Sequence, residues 1–225
     1  MREERTPDEI IIDKALILAQ LDSIAHHKDN VVGDRIKCMK LPFLVEYPMF
    51  ERRIKAFNLT YFRFEWGPIS KGVYEAWRDL EAAGFLVLDQ NLLVLTQAGH
   101  NLAHDFIKDV LQTTGNQFFL TEIENTSKKV ARLSTPWVKE LVYRMDVQPI
   151  EGGSKVKVRD APIGTNFTRA LDDEEVTQAL KVSQGWLETL AVELSPKNKQ
   201  SINRAIDDFH EGRILSHEQV WGNVP

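Results

Sequence analysis

His100 and His104 come nearest, by residue type and spacing, to a metal site in this chain. Four residues apart on a helix, they would share one face, which is half of a zinc site. Asp105 is adjacent, but no third ligand has motif spacing, and the glutamate of a metalloprotease signature is missing. We therefore expect a structural histidine pair and no bound metal.

Three other features also fall short of catalytic chemistry. Cys38 lies in an apolar helical stretch, which favours a buried and inert thiol. His217 and Glu218 would make an acid/base pair, but a tail without a surrounding pocket favours capping or partner contact. Gly152-Gly153 lacks the lysine and the helix start of a phosphate loop. The sequence thus predicts no enzyme, no cofactor and no metal.

Composition limits the class of protein. The 225 residues are 43% apolar, which is ample for a core, and the net charge of −5 gives no basic field for nucleic acid. A single cysteine fits a reducing compartment. The first residues are too charged for a secretory signal, and no apolar run reaches the roughly 20 residues that cross a bilayer. We expect a soluble, cytoplasmic, bacterial protein that does not bind membranes.

The N-terminal part begins with two helices. Thr6–Glu9 has the pattern of a capping box with proline in the first turn, and the apolar face that follows runs to about Ala25. A second helix is expected from Gly33–Asp34. Within it, Pro42 should kink or split the helix, and Pro48 should limit its length.

Strand and turn signals follow. Leu59–Trp66 alternates as a short strand that a Gly67–Pro68 turn should end. The later elements are predicted from caps, stops and apolar runs: a helix over Lys71–Ala83 between Ser70 and Gly84, a β-hairpin over Phe85–Leu95, and helices over His100–Leu111, Thr121–Leu133 and from Ser134 through Met145.

This order predicts a mainly α fold with a small β-hairpin (α+β), a winged-helix-like N-terminal domain and a helical C-terminal arm. Winged helices commonly read DNA, with basic residues on the phosphates. Here the third helix sets Lys71 and Arg78 against three acids, and the hairpin tip carries Asp89 and no base. We therefore favour a protein-interaction scaffold over an operator-binding domain.

Residues 8 to 146 resemble the Panacea family, also called the SocA-like antitoxin domain. The family pattern is a Lys-Leu helix, an aromatic strand into a Gly-Pro turn, a Val-Tyr helix and a glycine ending. The resemblance implies antitoxin work beside many unrelated toxins, and no catalysis. The chain departs from the family at Pro42, where members continue the helix unbroken. The motif residues are Lys40, Leu41, Gly67, Pro68, Val73, Tyr74 and Gly84.

We divide the chain into residues 1–146, a linker over 147–172 and an arm over 173–225. Lys155–Arg159 alternates like an edge strand within the linker. The acids at Asp172–Glu175 favour the start of a helix that carries Val176 to Leu190. Ser195 and Gly212 cap and stop a second arm helix. The arm holds nine acidic and five basic residues, a formal net charge of −4, which suits a basic partner.

Ala205–Trp221 resembles the C-terminal ending of prevent-host-death and RelB-like antitoxins, in which this part faces the toxin. Together the two resemblances imply an antitoxin of a type II system whose arm lies along a basic toxin protein. The expected toxin-binding residues are Trp186, Leu187, Leu190, Ile202, Ile206, Phe209, Arg213, Ile214, Val220 and Trp221.

Two other functions stay open at this point. One is a winged-helix transcriptional regulator that binds operator DNA, a role that antitoxins often combine with toxin binding. The other is a phage or plasmid accessory protein whose arm packs on its own domain. The identity of the toxin and homo-oligomer formation are also left open.

Overall fold

The computed structural model describes residues 4–26 and 31–213, which form a mixed α+β fold. None of the helices in these two ranges is long and apolar enough to cross a membrane. The helices are α1 (Pro7–Ala25), α2 (Arg35–Glu51), α3 (Lys71–Ala82), α4 (Gln97–Phe106, continued by a π-helical turn over Ile107–Leu111), α5 (Gln117–Ala131), α6 (Thr135–Tyr143), α7 (Gln184–Glu193) and α8 (Pro196–His210).

The strands are short and form four small sheets in the described part. Three sheets are antiparallel, with the orders β1-β6-β5, β4-β3-β9 and β7-β8, and β10 pairs in parallel with β2. The strands are β1 (Val31–Asp34), β2 (Ile54–Lys55), β3 (Tyr61–Phe64), β4 (Gly67–Ile69), β5 (Leu86–Asp89), β6 (Leu92–Leu95), β7 (Asp146–Val147), β8 (Val156–Lys157), β9 (Asn166–Thr168) and β10 (Gln178–Ala179).

Helix α1 lies at the centre of the fold. Its predicted capping box is confirmed: the Glu9 backbone N–H donates to Thr6 Oγ1 at 3.3 Å, and the Thr6 N–H donates to Glu9 Oε2 at 2.8 Å. The sequence predicts one apolar face, but every residue from Asp13 to Asp22 is buried. Helices α3, α4, α5 and α7 all contact α1, so the core surrounds this helix.

Helix α2 continues through both of its prolines, so the expectation that Pro42 would split it was wrong. Proline removes one backbone donor from the helix. Side chains from other elements donate to two carbonyls in the turn just before Pro42. Gln20 Nε2 donates to the Leu41 carbonyl at 2.9 Å, and the Tyr61 hydroxyl donates to the Met39 carbonyl at 3.4 Å. These non-local donors help to keep the interrupted helix continuous.

The hairpin β5–β6 and the glycine stop of α3 are confirmed, with Gly84 in the left-handed region at φ +80°. The predicted Gly67–Pro68 turn is wrong in detail. These two residues form β4, which pairs with β3, and the chain reverses at Glu65–Trp66 instead. Because β3 and β4 pair directly with each other, the turn lies between them at Glu65–Trp66 and not at Gly67–Pro68.

Residues 147–172, predicted as a linker, pack on the N-terminal body. Val156–Lys157 pairs with β7, in line with the expected edge strand, and β9 pairs with β3. Phe167 is fully buried, and Thr168 Oγ1 donates to the Leu59 carbonyl at 2.7 Å. The partners of β9 lie more than a hundred residues earlier, so local composition does not reveal this pairing.

The segment directly after Asp172 does not form the helix that the sequence predicts. Residues Asp173–Glu175 form a 3₁₀ turn, β10 follows, and α7 begins only after Ser183, whose hydroxyl accepts from the Trp186 N–H at 3.3 Å. Glu175 accepts hydrogen bonds from Arg169 at 2.7 Å and Arg53 at 3.3 Å. These contacts and the parallel pairing with β2 hold this segment out of a helix.

Two carboxyl groups are buried in the core near each other. Burial raises the pKa of Asp13 to about 6, although Arg5 and the hydrogen bonds from Asn58 oppose the rise. Burial, and secondarily the charge of Asp13, raises the pKa of Glu46 well above its ordinary value. Both groups therefore keep their protons to higher pH in the folded protein than in the unfolded chain.

Replacing Glu46 by glutamine tests this arrangement. A group with a raised folded pKa stabilises the fold at low pH, and its contribution is lost as pH rises through the folded pKa. We expect E46Q to flatten the decline of the thermal unfolding temperature as the pH rises above the ordinary glutamate pKa of 4.5, as followed by circular dichroism. Glu51→Gln, at a partly exposed acid paired with Lys155, is the control. An unchanged slope in E46Q would contradict the assignment.

Candidate functional site

Helix α7 faces the body of the protein. The Trp186 ring packs edge-on against Phe106 with centroids 5.9 Å apart, Leu190 and Leu194 are fully buried, and Leu187 is half-buried. Three residues expected to bind a toxin, Trp186, Leu187 and Leu190, therefore lie on a helix that packs against α1. Burying a leucine side chain stabilises a fold by roughly 1.5–3 kcal/mol, so α7 is held firmly.

Asn116 fixes the chain just before α7. Its side-chain amide donates to the Lys181 carbonyl at 2.7 Å and accepts from the Lys181 N–H at 2.9 Å. The same amide donates to the Val110 carbonyl at 3.1 Å, and the residue is almost fully buried. The sequence analysis missed this residue. An asparagine between a glycine and a helix signals a loop, but not a partner 65 positions away.

Helix α8 is the predicted second arm helix, and both of its ends are confirmed. Ser195 Oγ accepts from the Asn198 N–H at 3.3 Å, and Gly212 follows the helix with φ +71°. The helix presents a stripe of exposed apolar side chains at i, i+4 and i+7, which places them on one face. They are Ile202, Ile206 and Phe209, exposed by 42%, 47% and 67%.

Arg213 lies just beyond α8 and is engaged locally. Its Nε and Nη2 atoms lie 2.9 and 2.7 Å from Asp208 Oδ1, and it also pairs with Glu211. Arg213, expected to bind the toxin, thus makes its carboxylate contacts within the chain, at the last turn of the helix. The expected anchors Ile214, Val220 and Trp221 lie outside the described residues.

Helix α8 is also connected to the folded body. It contacts α7 and lies beside α3, and Lys199 Nζ sits 4.0 Å from the centroid of the Phe85 ring. A cation over an aromatic face contributes about 0.5–1 kcal/mol at an exposed site. The first turn of the helix is therefore anchored, while the apolar stripe that follows stays exposed.

Three of the Panacea-type motif residues, Lys40, Gly67 and Pro68, meet at one place. Lys40 Nζ donates to the Pro68 carbonyl at 2.6 Å inside the core. A Cβ at Gly67 would lie 3.0 Å from Tyr143 Cε1, and its φ of +93° favours glycine. Leu41 is fully buried next to Lys40. The lysine helix and the Gly-Pro strand therefore act together as a packing unit.

The remaining motif residues belong to α3. Val73 is buried in the core, whereas Tyr74 is half exposed and packs edge-on against Trp77 with centroids 5.4 Å apart. Ser70 precedes the helix without the expected capping bond from its hydroxyl. The α3 part of the motif therefore contributes one core contact and one exposed aromatic ring.

The two histidines of the predicted pair lie in different environments. His100 Nδ1 lies 2.5 Å from the buried Asp22 carboxylate, while His104 is exposed. Within residues 4–26 and 31–213, no three histidine, cysteine or acidic side chains are grouped so as to hold a metal. Cys38 is buried as predicted, with its Sγ 3.6 Å from the Gly33 carbonyl.

In comparisons with known proteins, no family model, no curated protein and no solved structure matches this chain. The two family resemblances therefore depend on their motif residues alone. The geometry of the arm and of the motif carries the functional argument that follows.

Lys40 gives a direct test of the motif geometry. Burial, followed by the charges of Arg63 and Lys139, lowers the pKa of Lys40 from 10.5 to about 7. A lowered folded pKa adds stability that is present above the unfolded pKa and is lost as pH falls through the folded one. The free energy of unfolding should therefore rise with pH between about 7 and about 10 because of this residue.

We expect Lys40→Met to remove that rise and, because it leaves the Pro68 carbonyl unpaired, to cost about 1–3 kcal/mol at high pH. Urea unfolding at two pH values measures both effects. Lys197→Met on the exposed surface of α8 is the control. If K40M and the unmodified protein showed parallel pH profiles, the buried lysine would not be titrating as described.

Proposed function

We propose that this protein is an antitoxin-like interaction protein that binds a cognate protein toxin through the exposed face of α8. The observation that carries this proposal is the apolar stripe of Ile202, Ile206 and Phe209 on a capped helix. Such a stripe fits the helix-in-groove mode of recognition, in which residues at i, i+4 and i+7 enter a partner's groove.

In this proposal α7 positions the binding helix and does not contact the toxin through its buried residues. Leu190 and Leu194 are buried in the core, and α7 contacts α8 directly. The binding surface therefore narrows from the whole arm to α8 and the residues after it. A partner would meet a helix whose orientation is already set, which lowers the entropic cost of binding.

Charge favours a basic partner for this surface. The arm from Asp173 onward has a formal net charge of −4, and Asp207, Asp208 and Glu211 flank Phe209 in sequence. Arg213 neutralises part of this group, since it pairs with Asp208 and Glu211. Electrostatic complementarity of this kind raises association rates and excludes acidic competitors.

The body supports a winged-helix arrangement, with α3 leading into the β5–β6 hairpin and β1 as a third strand. Two of the three acids on α3 pair with the N-terminal part of the chain: Glu75 pairs with Arg5 at 3.1 Å, and Asp79 pairs with Lys14 of α1 at 2.8 Å. Asp89 closes the hairpin strand. This distribution of charge favours a protein-facing role over phosphate binding.

Phe209→Ala is the test of the proposed surface. Tagged full-length protein and the variant are used to capture partners from the native host, and the affinity of the recovered partner is then measured. We expect a loss of about 2 kcal/mol or more, close to 30-fold, because exposed aromatic anchors dominate such interfaces. Alanine favours helix, so α8 should remain intact.

Ile163→Ala is the matched control, since Ile163 is also 67% exposed but lies before β9 rather than on α8. Point variants are preferable to a chain that ends at Asp172, because that truncation would also uncover the face of α1 that α7 packs against. Equal affinity of F209A and the unmodified protein would sink the proposed surface.

A further inference from the structure

A cluster of positive charges lies where β3, β4 and α6 meet, outside the arm. Arg63 is half-buried, and its buried Nε and Nη1 atoms donate to no acceptor among the described residues. The Arg63 guanidinium instead sits over the Tyr143 ring, 5.5 Å from its centroid. A guanidinium stays charged at all ordinary pH and has no acceptor of its own, so an unpaired one has strong affinity for an anion.

Lys139 lies close to the Tyr143 ring as well. Its Nζ is 5.6 Å from the Tyr143 centroid and 4.5 Å from that of Trp66, and it forms no ion pair with the described acids. Both cations thus contact aromatic rings. The rings do not neutralise them, because a ring quadrupole carries no net charge.

The acid that follows Lys139 in sequence is already paired with two arginines. Glu140 accepts from Arg144 Nε at 2.6 Å and Arg159 Nη2 at 2.7 Å, and these two bonds lower its pKa. Behind the cluster, Arg63 and Lys139 repel the charged form of Lys40, which adds to the effect of burial on its pKa. Glu140 is therefore not available to pair with Arg63 or Lys139.

Trp66 adds an apolar surface beside these cations. It lies at the chain reversal between β3 and β4 and is 53% exposed. Tryptophan and arginine are enriched in binding hot spots. An exposed indole next to a cation without an ion-pair partner therefore suits a ligand with one anionic and one apolar group. The strand pair and Gly67, packed against Tyr143, hold the geometry.

We propose that Arg63, Lys139 and Trp66 bind one carboxylate of an acidic segment in a partner protein. The carboxylate lies between the two cations, and a neighbouring apolar side chain of the segment packs on Trp66. This site lies on the body and does not depend on the function proposed for α8.

Charge distribution favours a peptide carboxylate over a nucleic acid. The chain as a whole carries −5, and the exposed acid Glu65 lies next to Trp66 in sequence. A string of phosphates needs several cations along its path. Two cations suffice for a single carboxylate, which gains charge-assisted hydrogen bonds from them.

Nuclear magnetic resonance of the full-length protein tests this site with defined probes. The first probe is the capped tripeptide Leu-Glu-Leu, and the matched probe is Leu-Gln-Leu. The Trp66 indole N–H signal is assigned with Trp66→Phe. We expect Leu-Glu-Leu to shift this signal and the Arg63 side-chain signal, and Leu-Gln-Leu to leave both in place.

Lys139→Gln should weaken the binding of Leu-Glu-Leu about fivefold or more, which corresponds to about 1 kcal/mol. Arg78→Gln removes the same charge from an exposed part of α3 and should bind like the unmodified protein. Equal shifts with both peptides, or unchanged affinity in K139Q, would overturn the proposal. A thymidine oligonucleotide that moves these signals more strongly than Leu-Glu-Leu would overturn it in favour of a phosphate-binding site.

Discussion

Complete burial of the middle of α1, from Asp13 to Asp22, is the constraint on which the rest of the structure depends. From Asp13 to Asp22 no side chain of this helix is exposed, so every face must be covered by another element. Helices α3, α4 and α5 cover part of it, and α7 packs against it as well. Burying apolar area stabilises a fold by about 25 cal/mol per Å², which makes detachment of α7 costly.

That constraint divides the arm in two. The segment up to Leu194 is held by β10, by the Asn116 amide on Lys181 and by the burial of Leu190. Helix α8 is anchored near its start, where Lys199 lies over Phe85 and the Asn198 amide donates to the Ala191 carbonyl, and it has no buried residue. The C-terminal part of the chain therefore both completes the core, through α7, and presents an exposed surface, on α8.

Local signals predicted the elements whose causes are local. The capping box at Thr6, the stop at Gly84 and the helix between Ser195 and Gly212 each depend on residues within one turn, and all were found. The β5–β6 hairpin is of the same kind. The contact between Lys40 and Pro68 was not predicted, because it joins positions 28 residues apart in sequence.

The errors share a different cause. The acids at Asp173–Glu175 read as a helix start, yet Arg53, more than a hundred residues earlier, binds Glu175. Pro42 reads as a break, yet Gln20 donates to a neighbouring carbonyl. Such long-range contacts within the chain depend on the tertiary fold and override the local helix propensity. The cationic cluster escaped notice for the same reason, since Arg63 and Lys139 lie on elements far apart in sequence.

Hydrogen exchange measured by mass spectrometry on the full-length protein tests the division of the arm most directly. If α7 completes the core, the amides of Gln184–Glu193 exchange nearly as slowly as those of α1, while the amides of Pro196–His210 exchange much faster, because local stability follows buried contacts. Equal and rapid exchange of both helices would mean that the whole arm is detached from the body, and the account would be wrong.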